Sequence, residues 1–354
     1  MRGPLDDSDA PARDTARRLT VIVPAYNEAE TVAETVASIL AQTAPPADIL
    51  VVDDCSTDDT AAVAAAAGAT VVRPPRNTGT KAGAQNFALD SVHTELVMAI
   101  DADTTLAPDA IELLLPALDD PDVAAACGSV LPRRVKTVWE RGRYIEYMFA
   151  FGFFKRIQDH YEKPLISSGC FSAYRTDELR GLGGWPERTM AEDMDLTWTM
   201  YGAGRKVRFE HEAVCYPIEP HDFSFLSKQL RRWSHGFVQN VRLHRRGLLD
   251  LGYLRSMVAI AFWDALLASI AYLFLLPILA IVISPVIMLA YLVDAPVILV
   301  PVLWYAFRRR EVGRALASFP SFFVLRIVNG AFMLSAIWKE LVLRRPLLVY
   351  EKGH

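Results

Sequence analysis

An α/β domain around a mostly parallel sheet, followed by a small α-helical membrane part, is what this sequence predicts, and three observations predict it. Short β-branched runs alternate with Ala-rich stretches through the first hundred residues. Between Ser256 and Phe307 the only formally charged residues are Asp264 and Asp294, a run too apolar for a soluble domain of this length. Ahead of that block, Lys228, Arg231, Arg232, Arg242, Arg245, Arg246 and Arg255 stand against one acid, Asp250, among Trp, Phe and Leu.

The elements follow in order. Residues 1–18 set four Asp against four Arg with two Pro and are expected to be disordered. No apolar stretch precedes Leu19, so no secretory signal is expected. Residues 19–23 read as a buried strand and 28–41 as a helix. Residues 48–52 are the next strand, and Ser56 or Thr57 is expected to cap the helix through 61–67. A third strand at 70–72, a helix at 81–90 and a fourth strand at 95–100 complete the alternation. That spacing implies a parallel sheet with ligands at the carboxyl ends of its strands.

Residues 101–220 are less regular, with a long helix expected over 135–160. Residues 226–246 read as a basic amphipathic helix lying in a membrane surface. Membrane spans are expected at about 257–276 and 285–307, each near the ~20 residues that a bilayer requires. Residues 315–343 hold Arg326, Asn329 and Lys339 and end in Arg344-Arg345. Positive charge favours the cytoplasmic side, so this stretch is expected to be interfacial or re-entrant. The domain plan is therefore a head at 1–18, a catalytic domain at 19–223 and interfacial helices at 224–255. Two spans at 256–307 and an interfacial or re-entrant helix with a cytosolic tail at 308–354 follow.

A net charge of −4 argues against a general nucleic-acid binder. Cys55, Cys127, Cys170 and Cys215 lack CxxC spacing, which fits a reducing compartment rather than disulfides or zinc. The chemistry-bearing residues are acids. Asp53-Asp54 end one predicted strand, Asp101-Ala102-Asp103 end another, and Glu192-Asp193-Met194-Asp195 precede a helix. One acidic pair is most simply a solvated turn or a cap. Two strand-end pairs weaken that reading, because carboxylates one residue apart can hold a hard cation on a diphosphate.

Val23-Pro24-Ala25-Tyr26-Asn27-Glu28 and Val51-Val52-Asp53-Asp54-Cys55-Ser56-Thr57-Asp58 resemble the opening of inverting family 2 glycosyltransferases. Lys81-Ala82-Gly83-Ala84-Gln85-Asn86 and Asp101-Ala102-Asp103 continue the likeness in order. Gln229-Leu230-Arg231-Arg232-Trp233 resembles the QxxRW signature of the membrane-bound branch, which holds cellulose, hyaluronan, chitin-oligosaccharide and poly-N-acetylglucosamine synthases. The resemblance spans roughly 19–246. It implies a nucleotide-diphospho-sugar transferase (GT-A type) domain, a UDP-sugar donor, and Mg²⁺ or Mn²⁺.

Carried onto these positions, Pro24, Tyr26 and Glu28 would line the nucleoside pocket, with Asp53 or Asp54 on the base and Lys81 beside it. Asp101 would face nucleotide and sugar, and Asp103 would ligate the metal. Asp193 would be the general base, and Gln229 and Arg232 would meet the diphosphate, Arg232 offsetting its charge. Trp233, with Gly169, Cys170 and Glu192, would form the acceptor site. Each has a plainer reading. Glu28 can cap the first helix, Glu192 and Asp195 can hold a helix N-terminus, and Ser168-Gly169-Cys170 can be an ordinary turn. Arg231 and Arg232 alone would suit lipid headgroups. Asp264 stays unassigned, and His211, His221 and His235 are taken as structural.

The expected reaction is inverting transfer from a UDP-sugar to a growing glycan hydroxyl, in a multi-pass protein of the cell membrane with its catalytic domain in the cytoplasm. Few helices are present to enclose a polysaccharide channel, which keeps open self-association into a homo-oligomer. It also keeps open non-processive addition of one sugar to a lipid-linked acceptor. A nucleotidyltransferase would need a Gly-rich loop after the first strand, where Pro24-Ala25-Tyr26-Asn27-Glu28 stands instead.

Overall fold

The computed structural model describes residues 18–250 and 252–347. All but Arg18 of the predicted head, and the last residues of the predicted tail, lie outside the described residues. In chain order the elements are β1 (Leu19–Ala25), α1 (Val32–Leu40), β2 (Asp48–Asp53), α2 (Thr60–Ala66), β3 (Thr70–Val72) and α3 (Lys81–Leu89). There follow β4 (Leu96–Ile100), β5 (Thr105–Leu106), α4 (Ala110–Leu114), β6 (Val123–Val130), α5 (Val138–Phe149) and α6 (Lys155–His160). Then come β7 (Phe171–Arg175), α7 (Thr176–Gly181), α8 (Glu192–Gly202), β8 (Lys206–Tyr216), α9 (Phe223–Leu243) and α10 (Arg245–Asp250). The C-terminal helices are α11 (Tyr253–Trp263), α12 (Leu276–Val282), α13 (Ala295–Arg308) and α14 (Val312–Ile337).

Two compact units share this chain. The first comprises residues 18–130, 166–187 and 199–217, and the second residues 131–165, 188–198 and 218–347. The first holds one eight-stranded sheet in the order β3-β2-β1-β4-β7-β6-β8-β5. β3, β2, β1 and β4 run parallel, as the strand–helix alternation predicts. The middles of β2, β1 and β4 are buried on both faces, with Val21, Val23, Val51, Val97 and Met98 fully enclosed, as a covered parallel sheet requires. The sheet is mostly parallel, as expected, with four of its seven strand pairings parallel, but its second half is mixed. β7 is antiparallel to β4 and β6, and β5 to β8, while β6 and β8 are parallel. Parallel neighbours need a crossover; between β6 and β7 the chain instead leaves for residues 131–165 of the other unit.

Two helix starts also differ from expectation. α1 begins at Val32, because the carbonyl of Glu28 takes the Thr31 and Val32 N–H groups in a turn. α2 begins at Thr60, and neither Ser56 nor Thr57 caps it. Asp58 accepts the Thr60 N–H (3.1 Å) instead.

In the second unit, α5 starts on a capping box in which Thr137 and Glu140 satisfy each other's N–H groups. It continues through a π-helical turn, Ala150–Phe154, into α6, close to the predicted 135–160 helix. α9 is capped by Asp222, which accepts the Phe225 N–H (2.8 Å). Leu226 and Leu230, one turn apart on α9, meet Leu325 of α14 in a buried cluster flanked by Trp139, Val328 and Phe332. Burying each leucine is worth about 1.5–3 kcal/mol. Gly142 permits the approach of α5 to α14, since a Cβ there would lie 2.9 Å from Leu325.

Among the described residues three helices are long and apolar enough to cross a membrane: Leu254–Val282, Pro285–Arg308 and Val312–Val342. The first two match the predicted spans. The third, expected to be interfacial or re-entrant, is a continuous helix of spanning length. Arg326 within it pairs with Asp294 (2.7 Å) and lies 3.7 Å from the unassigned Asp264.

Candidate active site

β1 and β2 are neighbours in register, Ala25 opposite Asp53, so the loops leaving them lie side by side. Asn27, in the left-handed region (φ 54°), ties them together. Its N–H donates to the Ser56 hydroxyl (2.9 Å) and its side-chain oxygen accepts the Thr57 N–H (2.8 Å). The Glu28 N–H donates to the Thr60 hydroxyl (2.8 Å). Along this lip Pro24 is half-buried, Tyr26 is exposed and Glu28 is buried. The Glu28 carboxylate accepts the Thr31 hydroxyl (2.9 Å), which together with its carbonyl performs the helix-start role weighed from sequence.

The buried pair Asp53-Asp54 braces these loops. Asp53 accepts the Ser56 N–H (2.9 Å) and binds Arg73 (2.6 Å). Asp54 accepts both the N–H (2.8 Å) and the hydroxyl (2.9 Å) of Thr78. Through these bonds both carboxylates order the loops that follow β2 and β3. Sequence reading missed Asn27, Arg73 and Thr78, whose roles depend on which loops the sheet brings together.

The end of β4 gathers the second group. Lys81, first residue of α3 behind the Thr80 cap, donates to the carbonyl of Gly169 (2.9 Å) and forms an ion pair with Asp101. Ile100 pairs with Phe171 across β4 and β7, which sets Gly169 and Cys170 beside the β4 terminus. Asp103, two residues beyond Asp101 in the same turn, accepts the Thr104 hydroxyl (3.2 Å). Both acids are half-buried. Hard, partly exposed carboxylate oxygens are of the kind that suit Mg²⁺ or Mn²⁺, and Asp101 also faces the Lys81 ammonium. Among the described residues no group of three or more His, Cys, Asp or Glu stands ready to hold a metal.

In the second unit the start of α8 separates its acids. Asp195 is fully buried, gripped by both Arg188 nitrogens (2.8 Å each) and by His244 Nε2 (2.7 Å). Burial alone would raise its pKa, but the Arg188 and His244 bonds prevail and hold it below the usual carboxylate range. Asp193 is half-buried and accepts the Met194 N–H (2.8 Å), as does a residue at a helix entry; Glu192 beside it is also half-buried. α9 holds this segment. Gln239 accepts the Met190 N–H (2.9 Å), and Asn240 donates to the Ala191 carbonyl (3.1 Å) and the Thr189 hydroxyl (3.3 Å). Gly236 packs so closely that a Cβ would lie 2.6 Å from that of Ala191. These helical-spacing partners, 236, 239, 240 and 244, follow the QxxRW stretch and were unmarked in the sequence.

The QxxRW residues lie on the first half of α9. Gln229 accepts from Arg143 Nη2 (2.9 Å), Arg232 is half-buried, and Trp233 is 37% exposed with the Arg143 guanidinium 4.6 Å over its ring. Arg143 binds Glu146 (2.7 Å) and faces buried Glu219 at 3.8 Å; Tyr147 donates to Glu219 (2.8 Å). Burial pushes the Glu219 carboxyl above its ordinary pKa, against the pull of Arg143 and Tyr147.

Residues 20–183 match the profile of Glycosyl transferase family 2. The chain is 28% identical over 223 residues to the poly-β-1,6-N-acetyl-D-glucosamine synthase of Staphylococcus epidermidis, covering 62% of this chain and 54% of that protein. It is 26% identical over 228 residues to the Staphylococcus aureus protein of the same name, covering 63% and 55%. The match thus spans about half the length of these relatives. Among solved structures, mannosyltransferase PcManGT from Pyrobaculum calidifontis, in complex with GDP-Man and Mn²⁺, superposes with a TM-score of 0.62 at 21% identity. That likeness covers 95% of this chain and 94% of that one, and at such identity it is a likeness of fold.

Proposed function

The chain carries a family 2 glycosyltransferase domain, and from that premise we propose that it is a membrane-bound, metal-dependent enzyme. It transfers a sugar from a UDP-sugar, with inversion, to a hydroxyl of a growing glycan. The observation that carries this reading is the group at the end of β4: Asp101 paired with Lys81, and Asp103 beyond it, next to the braced loops of β1 and β2. Pro24, Tyr26 and Glu28 line the nucleoside side, with Asp53 and Asp54 setting the loops around the base. Asp103 with Asp101 would hold Mg²⁺ or Mn²⁺, which would supply positive charge to the diphosphate leaving group.

The protein's own side chains do the rest. Asp193 takes the proton from the acceptor hydroxyl; its place at the start of α8, half-buried where Asp195 is fully buried, supports that choice. Arg232, with Gln229, offsets charge on the departing diphosphate. Trp233 offers a ring face to the acceptor sugar, with Gly169, Cys170 and Glu192 as its other contacts. The apolar helices anchor the chain in the cell membrane, with the catalytic domain in the cytoplasm.

A second reading keeps the chemistry and changes the product: one sugar added to a lipid-linked acceptor. It is favoured by the small membrane part: the three apolar helices among the described residues are few to enclose a polysaccharide channel. One experiment tests both. Purified, detergent-solubilised enzyme is given UDP-N-acetylglucosamine, UDP-glucose or GDP-mannose, with N-acetylglucosamine oligosaccharides or a polyprenyl phosphate as acceptor. Nucleotide release and product size are followed with and without EDTA. Release from a UDP-sugar that stops in EDTA and returns with Mn²⁺ or Mg²⁺ is expected, and a ladder of lengthening products supports polymer synthesis. Full turnover in EDTA after dialysis would sink the metal role, and a single-addition lipid product selects the second reading.

A further inference from the structure

We propose that Arg143 is the positioning residue of the Gln229–Trp233 motif, fixing the Trp233 ring as the acceptor platform. This rests on the acceptor role proposed above for Trp233. Gln229 and Trp233 are four residues apart, so they lie on one face of α9, one turn from each other. One guanidinium from α5 spans both: Nη2 donates to Gln229 (2.9 Å), and the carbon of the fork lies 4.6 Å over the indole. It covers one face of the ring of a residue that remains 37% exposed, and the proposal assigns the sugar to the opposite face.

Arg143 is itself only 3% exposed, and a buried charge persists only where it is matched. Glu146 binds Nη1 (2.7 Å) and is held from the far side by Asn329 of α14. Glu219 stands 3.8 Å from Nε, and neither of those two facing atoms has a hydrogen-bond partner. Glu219 therefore balances the charge, while Glu146, Gln229 and the ring orient the fork. A lysine ammonium can supply the charge but cannot lie flat on an indole while donating to two separate acceptors.

The test compares Arg143→Lys, the charge-balanced pair Arg143→Met/Glu219→Gln, and Trp233→Ala in detergent-purified full-length enzyme. The paired variant removes both buried charges together, which guards against simple misfolding. UDP affinity is measured by calorimetry, and apparent KM with N-acetylglucosamine oligosaccharides as the acceptor probe. Both Arg143 variants are expected to raise the acceptor KM roughly tenfold, the paired variant approaching Trp233→Ala, with UDP affinity within about twofold of wild type. Arg143→Lys should retain more function than the paired variant. The proposal is overturned if Trp233→Ala raises the acceptor KM while both Arg143 variants keep the wild-type value. A parallel fall in UDP affinity, marking a general structural role, overturns it too. An unchanged KM in Trp233→Ala removes the ring's own role, and this proposal with it.

Discussion

Two carboxylates two residues apart at the start of α8, Asp193 and Asp195, show how much partners decide at the scale of a residue. Asn in place of Asp193 keeps shape and removes the proton acceptor. It is expected to retain UDP-sugar binding and lose about 10²–10⁴-fold in kcat, the range for a lost general base. Asn in place of Asp195 weakens the charged bonds to Arg188 and His244 and is expected to cost about 2 kcal/mol of stability, with kcat falling far less. Wild-type turnover in Asp193→Asn would reassign the base. The Asp195 pKa is lowered on folding, so its stabilisation is present above the ordinary carboxylate pKa of about 4 and is lost as pH falls below it. Melting temperatures followed from neutral pH down through that range should drop in the wild type and drop less in Asp195→Asn.

At the scale of an element, α9 links two parts of the proposed machinery. Its first half carries Gln229, Arg232 and Trp233, and its second half grips residues 189–195 through Gly236, Gln239, Asn240 and His244. A 21-residue helix is a stiff spacer of about 30 Å, so a displacement at Gly236 is transmitted to the Asp193 segment. Gly236→Val puts two methyl groups where a Cβ already lies 2.6 Å from that of Ala191. The expected cost is about 1–3 kcal/mol from overpacking, together with a fall in kcat at nearly unchanged UDP affinity. A thermal melt and a UDP titration on the same sample separate the two effects; wild-type kcat would show that the segment does not depend on this contact.

At the scale of the whole molecule, α14 decides how the apolar helices run. By length and hydropathy it qualifies as a span. Its contacts tell a different story, because both of its ends meet polar helices of the same unit. Just before it, Glu311 accepts the Tyr144 hydroxyl of α5 (2.7 Å). Just beyond it, buried Glu340 binds His235 (2.6 Å) and Gln239 (2.8 Å) of α9. Asn329 reaches Glu146 at mid-length. A helix satisfied along its length by two amphipathic surface helices fits an interfacial course, with the first two apolar helices as a hairpin. Single cysteines placed beside Arg309 and beside Arg344 are therefore expected to react with an impermeant thiol reagent from the same, cytoplasmic side, in a background lacking the native cysteines. Labelling of the two from opposite faces would make α14 a third span.

The sequence by itself determined the parallel half of the sheet, the strand-end placement of Asp53-Asp54 and Asp101–Asp103, the amphipathic α9 and the first two apolar helices. Each of these is written in local periodicity or in a strand-to-loop boundary, which the order of residues alone encodes. The tertiary structure decided what those residues touch. It paired β7 antiparallel to β4, bringing Gly169 to Lys81 from 88 positions away. It committed Asp195 to Arg188 and His244. It also set Arg143 on Trp233 and gave the ambiguous 315–343 stretch polar partners at both ends. A carboxylate reads the same in sequence whether it meets water, an arginine or a proton to be taken. Its role is fixed by the neighbour, and the neighbours here come from distant segments that no local pattern marks.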